Sequence, residues 1–145
     1  MIFKDFFSNK RGAFILPHDK KFFIYTWNTD ISKASISKVE NAESLGRSFK
    51  ESLLKENLNL KDLECLVIYC GPKGSFTSLR LAAAFGNGLL SCPQMKGYEI
   101  LNDPILIQDS FYHEPVFDYK PVDIFTPIYS HGIDTLYKKT FTPKV

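Results

Sequence analysis

Residues 63–90 read LECLVIYCGPKGSFTSLRLAAAFGNGLL. Leu63 to Cys70 is an apolar run in which only Glu64 is charged. A short apolar run without alternation is the pattern of a strand buried on both faces. Gly71 to Ser75 holds two glycines and a proline, so the chain turns sharply there. Leu79 to Leu90 is built from Leu, Ala and Gly, and Ser75, Thr77 and Ser78 are candidate N-caps for a helix over it. Strand, tight turn and helix form half of a βαβ unit.

Such a turn has chemical potential. Unsatisfied N–H groups at a helix start, together with the helix dipole, favour an anion. Gly71, Gly74 and Ser75 therefore form a candidate anion- or nucleotide-facing loop. GPKGS is neither GxxxxGK[ST] nor GxGxxG, and a turn that needs glycine for its backbone alone is the stronger reading. The helix carries a second signal. Ala82 and Gly86 are four apart, as are Ala84 and Gly88, and residues at that spacing share a face. Small residues there permit close approach, either of the helix to its own sheet or of a partner protein to the helix. Each glycine costs about 1 kcal/mol of helix stability relative to Ala, so close packing has to offset it.

The chain has 145 residues, a length that suits one domain. Its 44% apolar and 23% charged content is that of an ordinary globular protein. A net charge of +2 is too mild to imply nucleic-acid binding by electrostatics alone. No apolar run reaches membrane-spanning length, and MIFKDFFSNKRG mixes charge into its apolar residues, so neither a transmembrane helix nor a signal peptide is expected. Cys65, Cys70 and Cys92 fit neither CxxC nor a zinc set, and read as small buried hydrophobes in a reducing compartment. His18, His113 and His131 are scattered. Asp5 and Asp109 form a carboxylate pair only if the sheet brings them together, and two turn residues is the simpler reading.

In chain order, Ile2 to Phe7, Ala13 to Leu16 and Phe22 to Trp27 read as three antiparallel strands, separated by turns at Ser8–Gly12 and Pro17–Lys20. Asn28 to Glu40 reads as a loop, or as a loop carrying a short strand near Ala34 to Ile36. Glu43 to Leu58 reads as a helix, with Leu45, Phe49, Leu53, Leu54 and Leu58 at helical spacing and Asn57 and Asn59 ending it. The order βββαβα is that of a ribonuclease-H-like, actin-like α/β domain with a mixed sheet. Beyond Leu90 the pattern weakens. Ser91 to Gly97 reads as a connection, Ile105 to Gln108 as a strand, Asp109 to Glu114 as a turn and Pro115 to Tyr119 as a returning edge strand. Pro121, Pro127 and Pro143 break the tail. The expected organisation is a ribonuclease-H-like domain over 1–96 and, over 97–145, a truncated remnant of a second half packed on it.

GPKGSFTSLRLAAAFGNGL resembles the GPGSFTGLR signature and following helix of the bacterial TsaB (YeaZ) family. Asp5 to Ser8, DFFS, lies where that family has DTST after its first strand. RGAFILPHDKKFF, from Arg11, resembles its second strand, turn and third strand. NAESLGRSFKESLLKE sits where a helix opens with HSE, with Glu43 matching. DSFYHEPVFDY, from Asp109, is similar to DARRGEVY. The chain departs from the family by the extra Lys73, by Ser78 in place of Gly, and by Phe6 and Phe7 in place of two hydroxyl residues. The resemblance implies a cytoplasmic, non-catalytic scaffold without a cofactor or metal of its own. Such a subunit pairs with a TsaD-like catalytic subunit, and indirectly with a TsaE-like ATPase, in threonylcarbamoylation of adenosine 37 of tRNA. It reaches tRNA only through the complex and touches no membrane. The expected partner interface comprises Leu79, Ala82, Ala83, Gly86, Leu45 and Phe49, and the same face is suited to a homodimer. The alternatives are a nucleotide-binding hydrolase or peptidase-like enzyme of the same superfamily, and an interaction domain unrelated to tRNA.

Overall fold

The apolar run at 65–69 forms a strand in which all five residues are buried, and the sheet is assembled around it. The computed structural model describes residues 7, 9–71, 75–100 and 119–127. Six strands are present among them: β1 (Arg11–His18), β2 (Lys21–Asn28), β3 (Ser35–Val39), β4 (Cys65–Tyr69), β5 (Lys96–Ile100) and β6 (Tyr119–Val122). Two helices, α1 (Leu45–Lys55) and α2 (Phe76–Leu89), separate β3 from β4 and β4 from β5. The strands form one mixed sheet in the order β3-β2-β1-β4-β5-β6. β1, β2 and β3 are an antiparallel meander, β1, β4 and β5 run parallel, and β6 returns antiparallel. The order βββαβα therefore holds for the stretch from β1 to α2.

Of the three antiparallel strands expected at 2–7, 13–16 and 22–27, the second and third are found within β1 and β2 and pair as expected, whereas the first is not a member of the meander. Both edges of β1 are occupied, by β2 and by β4, so no further strand can lie beside it. Phe7 is helical, and 2–6 lie outside the described residues. The meander is completed by β3, the strand that competed with a loop reading near Ala34 to Ile36. Arg11 and Gly12 belong to β1 rather than to a turn, and so do Pro17 and His18. The β1–β2 turn is only Asp19–Lys20, closed by the His18–Lys21 pair. Asp19 has φ 57, in the left-handed region that two-residue hairpin turns use and Asp tolerates. In this topology RGAFILPH is the first strand of the meander and the turn after it carries Asp19, while Asp5, Phe6 and Ser8 of the DFFS segment lie outside the described residues.

α1 opens after a 3-10 turn at Ala42–Ser44, where the Asn41 side chain accepts the Glu43 N–H at 3.0 Å. It ends in a Schellman arrangement. The Leu58 N–H donates to the Leu53 carbonyl at 2.9 Å, the Asn57 N–H donates to the Leu54 carbonyl at 3.0 Å, and Asn57 has φ 58. Ser91 to Met95 form the expected connection, Lys96 and Gly97 already belong to β5, and Pro121 sits inside the edge strand β6, where a proline is tolerated. β5 straddles the boundary drawn at 96/97 and pairs with β4. The expected strand at Ile105–Gln108 and turn at Asp109–Glu114, with His113, His131, Asp5 and Asp109, lie outside the described residues.

Alternation along the strands splits the core in two. Ala13, Ile15, Phe22, Ile24, Leu66 and Ile68 face α1 and α2. Phe14, Leu16, Tyr25, Trp27, Val67 and Tyr69 face the other way, joined by Phe7 and Ile31. α1 lies over β2 and β3, and α2 over β1 and β4, on the same side of the sheet.

Candidate partner-docking surface

The turn after β4 is built for backbone geometry. A Cβ placed on Gly71 would run into the ring of Tyr69. Gly74 lies outside the described residues. Ser75 is the N-cap of α2: its hydroxyl oxygen accepts the Ser78 N–H at 3.1 Å, and its O–H donates to Ser78 Oγ at 2.8 Å. Its own N–H donates to the Asp19 carbonyl at 2.7 Å, which ties the helix start to the β1–β2 turn. A depression of about 500 Å³ beside this corner has Lys20 and Glu40 among its lining residues, together with Asn41 and Thr77, so charges of both signs face it.

The small residues of α2 divide between two faces. Leu79, Ala82, Ala83 and Gly86 are buried against the chain's own core. At Gly86 an added Cβ would meet Ile68 Cδ1 and the ring of Phe125, so the glycine makes a notch that the chain itself fills. Asn87 fixes that contact. It accepts the Phe125 N–H at 2.6 Å and donates to the Phe125 carbonyl at 3.1 Å, as a neighbouring strand would. Leu45 and Phe49 on α1 are likewise buried. The six residues expected to meet a partner are thus interior ones, and of the two readings offered by Ala82 and Gly86 the structure displays packing on the chain's own sheet. Ala84 and Gly88 face outward, and a Cβ on Gly88 would have open space around it.

Between the two helices runs an apolar groove of about 320 Å³. Its floor is Phe49 and Leu53 with the half-buried Phe85, whose ring meets that of Phe49 edge-on at 5.2 Å. Its rim includes Leu54, 56% exposed, and Leu60, 39% exposed. A polar seam on the far side of α1 sets the helix on the sheet. There the Thr26 hydroxyl donates to the Ser52 carbonyl at 3.1 Å, and the Ser52 hydroxyl donates to Ser37 Oγ at 2.9 Å. Sequence reasoning named Leu54 as one of the helical apolar positions but did not separate it from the buried ones. The signal was available, because Leu54 lies off the arc that Leu45, Phe49 and Leu53 define.

The thiols in the sheet are not poised for chemistry. Burial, with Glu64 nearby, pushes the Cys65 thiol up to about 12. Burial and then the Glu99 carboxylate raise Cys70. Glu99 itself is buried; it accepts the Thr126 N–H at 3.1 Å and lies 3.6 Å from Lys120 Nζ. Among the described residues no group of three or more His, Cys, Asp or Glu is placed to share a metal ion, and no helix is long and apolar enough to cross a membrane.

Two solved structures share this architecture. One is YeaZ from Pseudomonas aeruginosa, at TM-score 0.61 and 18% identity over 72% of this chain and 49% of that one. The other, an uncharacterized protein with similarity to peptidase YeaZ from Pseudomonas aeruginosa, matches at TM-score 0.61 and 16% identity with the same coverage. The chain therefore has a YeaZ-like fold, at a sequence distance in keeping with strong divergence. It spans about half the length of these structures. No protein-family model and no curated protein sequence matches it.

Proposed function

We propose that this chain is a ribonuclease-H-like, actin-like scaffold subunit, non-catalytic in itself, that pairs with a TsaD-like catalytic subunit in threonylcarbamoylation of adenosine 37 of tRNA in the cytoplasm. The YeaZ-like fold and the GPKGSFTSLR segment support the family role. The observation that carries the pairing is the apolar groove between α1 and α2, with Leu54 and Leu60 on its rim. Covering exposed apolar surface is favourable by roughly 25 cal/mol per Å², so a partner helix laid there gains from each rim residue. The interface moves from the six buried positions to their exposed neighbours: Leu54 on α1, and Leu81, Ala84 and Gly88 on α2. A TsaE-like ATPase joins indirectly, and tRNA is reached through the complex. Without its partner the same face supports a two-fold contact between copies.

The test is co-expression with an affinity-tagged TsaD-like subunit from the same source. The wild-type chain co-elutes, and Leu54→Asp abolishes co-elution with its thermal midpoint unchanged. Mass spectrometry of tRNA nucleosides after depletion of the chain then records a fall in the modified adenosine. Absence of co-elution together with normal modification overturns the proposal.

A further inference from the structure

We infer that the α1–α2 surface selects an amphipathic helix flanked by carboxylates. The inference rests on the docking reading above and adds the charge of the occupant. Among the described residues, Lys50 is the one charged side chain lining the groove between the helices. A shallower depression of about 240 Å³ on α2 is lined by Thr77, Arg80, Leu81 and Ala84, and its one charged residue is Arg80. Each of the two depressions is therefore lined by one cation among mostly apolar residues, and no carboxylate lines either.

The two helices themselves hold few carboxylates. α2 contains no Asp or Glu. α1 has a single acid, Glu51. Glu56, one residue beyond the end of α1, accepts a 2.6 Å hydrogen bond from the Ser35 hydroxyl, on the side of the helix away from the groove. Arg80 is held over the Phe76 ring at 5.4 Å, which fixes where its guanidinium stands. The groove offers apolar contact, and Gly88 lets a second backbone come close. A helix with a Leu/Ala stripe and Glu on both flanks matches this surface in shape and in sign. The same helix with Lys on its flanks sets like charges together, and juxtaposition of that kind is how interfaces reject partners.

The experiment uses the full chain and two synthetic helical peptides with the same Leu/Ala stripe, one Glu-flanked and one Lys-flanked, titrated by fluorescence anisotropy at low and high salt. The Glu-flanked peptide is expected to bind on the order of tenfold more tightly at low salt, an advantage that screening reduces at high salt. Lys50→Glu combined with Arg80→Glu reverses the preference, and Leu54→Asp weakens both peptides. Equal affinity for the two peptides, with Leu54→Asp still weakening both, overturns the charge inference and leaves the docking surface standing. Binding of neither peptide also overturns it, and the docking reading is then decided separately by the co-elution experiment.

Discussion

The ring of Phe125 sits in the notch left by Gly86, thirty-nine positions earlier, and the side chain of Asn87 holds the Phe125 backbone on both its N–H and its carbonyl. A glycine on a helix that is read as an invitation to another protein is here a socket for the chain's own aromatic. Replacing it therefore tests folding rather than partnership.

Gly86→Ala is expected to destabilise the protein although alanine favours helix by about 1 kcal/mol, because the new methyl meets Ile68 and Phe125 and overpacking of this kind costs about 1–3 kcal/mol. Phe125→Ala empties the socket and is expected to cost about 3–5 kcal/mol. In the Phe125→Ala background the Gly86→Ala penalty shrinks, since one of its two obstacles is gone. Urea unfolding of the four proteins measures the coupling, and strict additivity would contradict the contact.

Ser75→Ala removes the acceptor for the Ser78 N–H at the start of α2. The expected loss is about 1 kcal/mol, the usual effect of deleting an N-cap. Ser75→Asp restores most of it, because a carboxylate both caps and suits the helix dipole. Thermal unfolding of the two variants checks the order; a Ser75→Asp protein no more stable than Ser75→Ala would contradict it.

Glu64 accepts hydrogen bonds from the Arg11 N–H and from Arg11 Nε, each at 3.1 Å. The backbone bond is the chief cause holding its carboxyl below the ordinary 4.5, with partial burial opposing. A depressed carboxyl stabilises the fold above its unfolded value and stops doing so as pH falls through the folded value. The stability difference between wild type and Glu64→Gln is therefore full above 4.5 and closes on acidification below it. Denaturant titrations at a series of pH values measure the difference; the same gap at every acidic pH would be inconsistent with the pairing.

The Cys65 thiol, pushed up to about 12 by burial, and the still higher Cys70 stay protonated and covered in the native state. A maleimide at mildly alkaline pH is expected to label Cys92, which is only partly buried, and to leave a Cys92→Ser variant unlabelled until denaturant is added. Because the Cys65 value is raised, its contribution to stability is complete below the ordinary 9.0 and is lost as pH climbs from there toward 12. Rapid native labelling of Cys92→Ser would contradict the burial of the other two.

The elements legible in the sequence are those whose pattern is local. The unbroken apolar run before Gly71 gives β4, the periodic leucines give α1, and Ser75 marks the start of α2. β3 is half legible, because an edge strand with Ser35, Ser37 and Lys38 is as polar as a loop. β5 is hidden because Lys96, Gly97 and Glu99 do not look like a strand; Glu99 is buried beside Thr126, Lys120 and Cys70, partners more than twenty residues away. The same reason hides the burial of the small-residue face of α2. Small residues four apart look alike whether they face a partner's helix or a ring delivered from position 125, and nothing near Gly86 in sequence names Phe125.

The sheet separates two apolar layers that share no side chains, one beneath the helices and one around Phe14, Tyr25 and Trp27. Trimming Trp27 would loosen the molecule from below while leaving the shape of the groove above intact. Packing below the sheet can in this way change without recasting the surface between the helices.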